Sequence, residues 1–138
     1  MPTTRTLSAS FIEPGPDAGD RLRIRATTES GFELGFDTLS ASEGGIGPGP
    51  TEAILASLAA CTAMDVASIL RKKRQRVDSY RIQVAAEKAE KHPQVYTAVT
   101  VEHQVAGDVT AEALRRSIEL SATAYCPVSA MLSGSVPI

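Results

Sequence analysis

The 138-residue sequence predicts a single α+β domain, residues 1–138, because alternating strands precede and follow one long apolar helix. Segments before residue 40 and between residues 78 and 106 alternate apolar with polar side chains, as half-buried strands do. Between them, residues 49–75 carry almost only small or apolar side chains up to a basic end. A helix of this composition is expected to be buried on nearly every side.

The N-terminal segment predicts an antiparallel hairpin. Residues 21–28, RLRIRATT, and residues 32–36 alternate around a Ser-Gly turn. Residues 6–12 predict an edge strand, and residues 13–20, rich in Pro, Gly and Asp, predict the turn that follows it. A Gly/Pro-rich loop over residues 40–50 then leads into the helix, and we expect a flap there rather than a phosphate-binding loop.

Three arginines of the first hairpin, Arg21, Arg23 and Arg25, alternate along the strand and therefore share one face. A solvated sheet face is the simplest interpretation of this pattern. The functional alternative is that one of these cations reaches a thiolate or an anionic substrate.

The long helix is predicted with clear signals at both ends. Pro50 suits the first helical position, and Glu52 lies in the first turn, where a carboxylate complements the helix dipole. Its last turns hold four cations that complement the negative end: Arg71, Lys72, Lys73 and Arg74.

Cys61 lies in the middle of this helix, and Asp65 follows one turn later on the same face. A buried carboxylate requires a partner. Asp65 therefore predicts either a structural ion pair with an Arg or Lys, or a pocket shaped around the Cys61 thiol. Cys61 alone is compatible with an inert core residue as well as with a nucleophile.

The C-terminal half predicts a second hairpin, residues 78–87 and 96–106, and then a helix from Ala111 to about residue 123 with Thr110 as its N-cap. Pro127 cannot continue that helix but can begin another. Cys126 is therefore predicted at the N-cap of a short helix, where free N–H groups lower a thiol pKa.

Composition limits the classes of function. Hydrophobic residues make up 43% of the chain and charged residues 22%, and the net charge is −2, which gives no indication of nucleic-acid binding. Polar residues interrupt the apolar helix, so no membrane span is predicted. The first residues lack the apolar core of a secretory signal, so we expect a cytoplasmic protein with reduced thiols.

Cysteine spacing gives no metal or cofactor motif. Cys61 and Cys126 are 65 residues apart, and no Cys or His pair has the close spacing of a zinc site. No metal or other cofactor is therefore expected. The two thiols are left as either inert core residues or a redox pair.

Four motifs together resemble the OsmC/Ohr superfamily, and most closely its OsmC-like (YhfA-like) branch. They are Gly-Pro-Thr-Glu at the start of the helix, Cys-Thr-x-x-Asp-Val within it, Glu-Lys-His-Pro in the second hairpin and Tyr-Cys-Pro-Val-Ser-Ala-Met-Leu near the end. The resemblance implies antiparallel sheets wrapped around long central helices in an intertwined homodimer.

The resemblance also implies chemistry. Cys61 would attack an organic hydroperoxide as a thiolate, and Cys126 would resolve the sulfenic acid to a disulfide. A lipoyl-type dithiol reductant would regenerate the pair. The implied partners are thus a second copy of the chain, a small hydroperoxide and a dithiol, with no nucleic acid and no membrane.

This sequence departs from the peroxidase pattern at the supporting residues. Peroxidase members are similar to Asn-Pro-Glu-Gln where this chain has Gly-Pro-Thr-Glu, which moves the carboxylate to Glu52 and rotates it by about 100° on the helix. Arg25 or Arg23 is the candidate for the family's arginine, and Asp65 would raise the Cys61 pKa. Two alternatives therefore stay open: a non-catalytic small-molecule-binding dimer, and thiol chemistry other than peroxide reduction.

Overall fold

The computed structural model describes residues 3–12 and 21–138, so the turn predicted at residues 13–20 lies outside it. Two compact units make up the chain, Met1–Ile54 and Leu55–Ile138. The single domain expected over residues 1–138 stays a prediction.

The first unit holds a three-stranded antiparallel sheet in the order β1 (Leu7–Phe11), β2 (Arg23–Thr28) and β3 (Glu33–Asp37). The predicted hairpin is confirmed, with Arg25 opposite Gly35. Its turn contains Gly31 at φ 95°, a left-handed conformation that glycine adopts without steric strain.

Asp37, at the end of β3, organises the loop that follows. Its buried carboxylate accepts hydrogen bonds from the Arg21 guanidinium at 2.9 Å and from the backbone N–H groups of Leu39 and Ile46. Arg21 also donates to the carbonyl of Gly44. The predicted flap is therefore tied to the sheet, and it contains a short 3₁₀ turn at Ala41–Glu43.

Acid is expected to remove the stabilisation that Asp37 provides. The Arg21 guanidinium holds the pKa of this carboxyl well below its ordinary value of 3.8. A carboxyl whose pKa is lower in the folded protein stabilises fully above its unfolded pKa and loses that contribution as the pH falls toward the folded pKa. We expect Asp37→Asn to melt below the wild type at pH 7, and the gap to narrow below about pH 4.

Thermal melts from pH 7 to pH 2 check this expectation. Asp78→Asn is the control, since the Asp78 side chain is 58% exposed. A gap between Asp37→Asn and wild type that stays constant over this range would contradict the assignment.

Helix α1 (Pro50–Lys72) begins at the predicted proline and continues from the first unit into the second. Its fully covered residues form one stripe at helical spacing: Leu58, Thr62, Val66 and Leu70. The expectation of burial on nearly every side is wrong for a single chain, since Met64 is 72% exposed. By length and composition alone, α1 is also long and apolar enough to cross a membrane. Core helices of soluble proteins meet the same criterion.

The second unit continues with the long hairpin of β4 (Arg76–Lys88) and β5 (Tyr96–Asp108), as predicted. Helix α2 (Ala111–Leu120) follows, and its predicted N-cap is confirmed because the Thr110 hydroxyl accepts from the Ala113 N–H at 3.1 Å. A π-helical turn, Ser121–Tyr125, then leads to helix α3 (Pro127–Ser133).

Candidate thiol site

Three side chains of the second unit, Cys61, Asp65 and Cys126, converge at one point. The two sulfur atoms and one carboxylate oxygen all lie within 4.8 Å of one another. Both cysteines are free thiols. The sequence predicted each of these residues as a site candidate, and the fold brings all three together.

Helical spacing on α1 supplies the first two groups, because residues i and i+4 lie one turn apart on the same side. The π-helical turn supplies the third. The Cys126 N–H donates to the Ser121 carbonyl at 2.8 Å, a bond that spans five residues instead of four. Pro127 then begins α3, which leaves Cys126 at its N-cap as predicted.

Backbone N–H groups in the first turn of α3 interact with both sulfur atoms. The Ser129 N–H donates to Cys126 Sγ at 3.3 Å, and the Val128 N–H acts on the Cys61 thiol. The Thr62 hydroxyl lies 3.8 Å from Cys126 Sγ, within the range of a sulfur hydrogen bond. The two thiols therefore lie against polar groups, although Cys126 is only 2% exposed.

Asp65 is held by a hydroxyl. Ser121, which is fully buried, donates from Oγ to Asp65 Oδ2 at 2.9 Å. The interpretation in which this carboxylate shapes a pocket around the Cys61 thiol stays a prediction. Among the described residues, no Arg or Lys forms an ion pair with Asp65.

The Cys61 thiol has a pKa above its ordinary value. Burial is the main cause, and the neighbouring Cys126 thiol and the negative charge of Asp65 add to it. The Val128 N–H opposes the shift by stabilising the thiolate. Cys61 is nevertheless the more accessible of the pair, being half-buried where Cys126 is buried.

Removing the charge of Asp65 is expected to make Cys61 more reactive. Asp65→Asn eliminates one of the causes that raise the Cys61 pKa, so more thiolate exists at neutral pH. Alkylation of Cys61 by iodoacetamide at pH 7 should accelerate by up to about tenfold for each unit by which the pKa falls. In the wild type the rate should still be rising at pH 9.

Mass spectrometry of the modified peptide measures this rate at Cys61 alone. Asp108→Asn, at the exposed end of β5, is the matched control and should react like the wild type. An Asp65→Asn variant slower than this control would contradict the electrostatic role of Asp65.

The two other candidate residues lie in the first unit. Glu52 accepts a hydrogen bond from the Gly49 N–H at 3.1 Å, which caps the start of α1. Arg25 is exposed on β2, with its Nε 3.9 Å from a carboxylate oxygen of Glu33. Their roles as supporting residues stay predictions.

Sequence reasoning missed three groups of the site: Thr62, Ser121 and the Val128 N–H. Thr62 directly follows Cys61, yet it contacts the other cysteine. Ser121 begins the π-helical turn after α2, and its link to Asp65 spans 56 residues and has no local signal. Backbone donors carry no side-chain signature at all.

A mainly apolar pocket of about 150 Å³ in the second unit is lined in part by Thr62. Leu58, Val101 and Ile118 line it together with His103, whose Nδ1 is hydrogen-bonded to the Tyr80 hydroxyl. A pocket of this volume accommodates a ring-sized apolar group.

Fold and site together define a small α+β protein with a closely spaced dithiol beside a carboxylate. The family described as OsmC-like protein matches residues 42–138. This chain belongs to the OsmC family, which confirms the resemblance seen in the motifs.

Relatives place the chain within that family. It is 35% identical to Protein YhfA of Escherichia coli (strain K12) over 118 residues, 85% of this chain and 86% of YhfA. A hypothetical protein from Aquifex aeolicus VF5 matches at 26% identity with a TM-score of 0.78, covering 98% of this chain and 94% of that one.

Several structural relatives have functional names. The organic hydroperoxide resistance protein OhrB of Bacillus subtilis superposes with a TM-score of 0.62 over 98% of this chain and 94% of its own, at 21% identity. At this identity the likeness shows the fold alone. The α+β fold with antiparallel sheets is thus confirmed, while the intertwined dimer stays a prediction.

Proposed function

We propose that this protein reduces organic hydroperoxides through a dithiol–disulfide cycle of Cys61 and Cys126. The observation that carries the proposal is the convergence of two free thiols within 4.8 Å, one of them partly accessible. The hydroperoxide resistance proteins that share the fold support it by analogy only.

The cycle balances in three steps. The Cys61 thiolate attacks the terminal peroxide oxygen, so that an S–O bond forms, the O–O bond breaks and a proton gives the alcohol. The Cys126 thiol then condenses with the sulfenic acid, releasing water and leaving a disulfide. A dithiol reductant of the lipoyl class reduces this disulfide by thiol–disulfide exchange and is itself oxidised to a cyclic disulfide.

The surroundings of the two cysteines support this division of roles. Cys61 is half-buried and can meet a substrate, whereas Cys126 is covered and already held by the Ser129 N–H. A covered thiol next to the attacking one suits the resolving step. The raised pKa of Cys61 limits its rate at neutral pH, because the thiolate is the nucleophile.

Thiol titration tests the proposal. The reduced protein is mixed with an equivalent of cumene hydroperoxide, and free thiols are counted for the wild type, Cys61→Ser and Cys126→Ser. We expect the wild type to lose both thiols rapidly and Cys61→Ser to keep its remaining thiol. Survival of both thiols in the wild type would rule the peroxidase cycle out.

A second candidate is a non-catalytic protein that binds a small apolar molecule. The pocket of about 150 Å³ and the raised pKa of Cys61 favour it. It predicts unreactive thiols together with a melting temperature that rises with an aromatic or short aliphatic ligand.

We also propose that the protein is a homodimer. The support is the uncovered side of α1, where Met64 is 72% and Ile54 40% exposed, since exposed apolar side chains on one helix indicate an interface. Sedimentation equilibrium should give twice the chain mass of 14.5 kDa. A cytoplasmic location, where thiols stay reduced, is part of the same proposal.

A further inference from the structure

The cluster of Cys61, Asp65 and Cys126 has a second chemical possibility that does not depend on peroxide. Two sulfur atoms and a carboxylate oxygen within 4.8 Å of one another form a three-donor set. Tetrahedral zinc with bonds of about 2.3 Å to sulfur places two thiolates about 3.8 Å apart. The observed donors, all within 4.8 Å of one another, lie at most about 1 Å beyond that separation.

We infer that the reduced protein binds a zinc ion through Cys61, Asp65 and Cys126, with a water molecule as the fourth ligand. Thiolates favour zinc over magnesium or calcium, which prefer oxygen donors. A site with three protein ligands and one open position is an arrangement that zinc adopts in proteins.

The surroundings of the three donors support the inference independently. Metal-binding carboxylates are in turn hydrogen-bonded, and Asp65 Oδ2 accepts from the buried Ser121 hydroxyl at 2.9 Å. This bond orients the carboxylate and engages only one of its two oxygen atoms. The Ser129 N–H donates to Cys126 Sγ, a contact that would stabilise a metal-bound thiolate.

Binding has a defined proton balance. Zinc binds each cysteine as a thiolate and so displaces one proton from each thiol, and about two protons leave for each ion bound. Two thiolates and a carboxylate carry three negative charges, of which the ion neutralises two. The cysteine spacing alone predicted no metal, because the third ligand is an aspartate one helical turn after Cys61.

Zinc binding is measured with the reduced full chain under nitrogen, in competition with a chromophoric chelator. We expect a single ion per chain, release of about two protons, and protection of both thiols from a thiol reagent. Cobalt as a spectroscopic probe should show thiolate charge-transfer bands and the visible bands of a tetrahedral site. Absence of stoichiometric binding would overturn the inference.

Asp65→Asn and Asp108→Asn form the matched pair of variants. Asp65→Asn should weaken zinc binding by about tenfold or more, whereas Asp108→Asn, exposed at the end of β5, should bind like the wild type. Circular dichroism verifies that both variants are folded. Equal affinity in the two variants would remove Asp65 from the site and overturn the three-ligand assignment.

The two proposals fail separately. Peroxide consumption is measured with a chelator present, and zinc binding is measured without peroxide. Moreover, Asp65→Asn should have opposite effects on the two thiol properties, because it should weaken zinc binding but accelerate alkylation of Cys61. A protein that consumes peroxide and does not bind zinc overturns only the metal site, and the reverse result overturns only the peroxidase cycle.

Discussion

Replacing Cys126 by Ser is expected to abolish turnover of an organic hydroperoxide while leaving one round of reaction intact. Cys61 keeps its thiol and can still form a sulfenic acid, but no thiol within 4.8 Å remains to resolve it. Steady-state consumption with a lipoyl-type dithiol should fall by about two orders of magnitude or more. The single-turnover rate should stay within a few-fold of the wild type.

A dimedone adduct on Cys61, detected by mass spectrometry after one equivalent of peroxide, identifies the trapped sulfenic acid. Cys61→Ser is the control and should form no adduct. If Cys61→Ser forms the adduct on Cys126 instead, the two cysteines have exchanged roles. That outcome would agree with the sequence argument that placed the better activated thiol at the N-cap of α3.

Leu70→Ala in α1 is expected to cause a large loss of stability. Leu70 is fully buried at the end of the covered stripe, and truncation leaves a cavity as well as losing burial. We expect the free energy of unfolding to fall by about 2–5 kcal/mol. The measurement is urea unfolding at fixed protein concentration.

Met131→Ala is the matched control, because this α3 side chain is 72% exposed. Its effect should stay within about 0.5 kcal/mol. Equal losses in the two variants would mean that the covered stripe of α1 is not the core of the second unit.

Most of the secondary structure was predicted because those elements carry local signals. The helix expected to reach about residue 123 instead ends at Leu120, where the unpredicted π-helical turn begins. Pro50 marks the start of α1, Thr110 caps α2, and period-two alternation marks β4 and β5. Burial of α1 was overestimated for a physical reason. Composition indicates which side chains are apolar enough to be buried. It does not indicate whether the residues that bury them belong to the same chain.

The residues of the site could be predicted from the sequence, but the contacts between them could be predicted less well. Cys61, Asp65 and Cys126 stood out because a helical spacing and a proline placed them. Their mutual approach depends on how α2 and α3 return to α1. The Ser121–Asp65 hydrogen bond and the Val128 N–H are consequences of that packing, so nothing local in the sequence specifies them.

The π-helical turn before Cys126 makes the dithiol depend on the number of residues in this segment as well as on their identity. The Cys126 N–H reaches the Ser121 carbonyl, one residue further back than in an α-helix. Deleting Ala124 would let the turn close as ordinary α-helix and would rotate the cysteine by about 100°. Homologues that keep the paired thiols should therefore tolerate no insertions or deletions between Thr110 and Cys126.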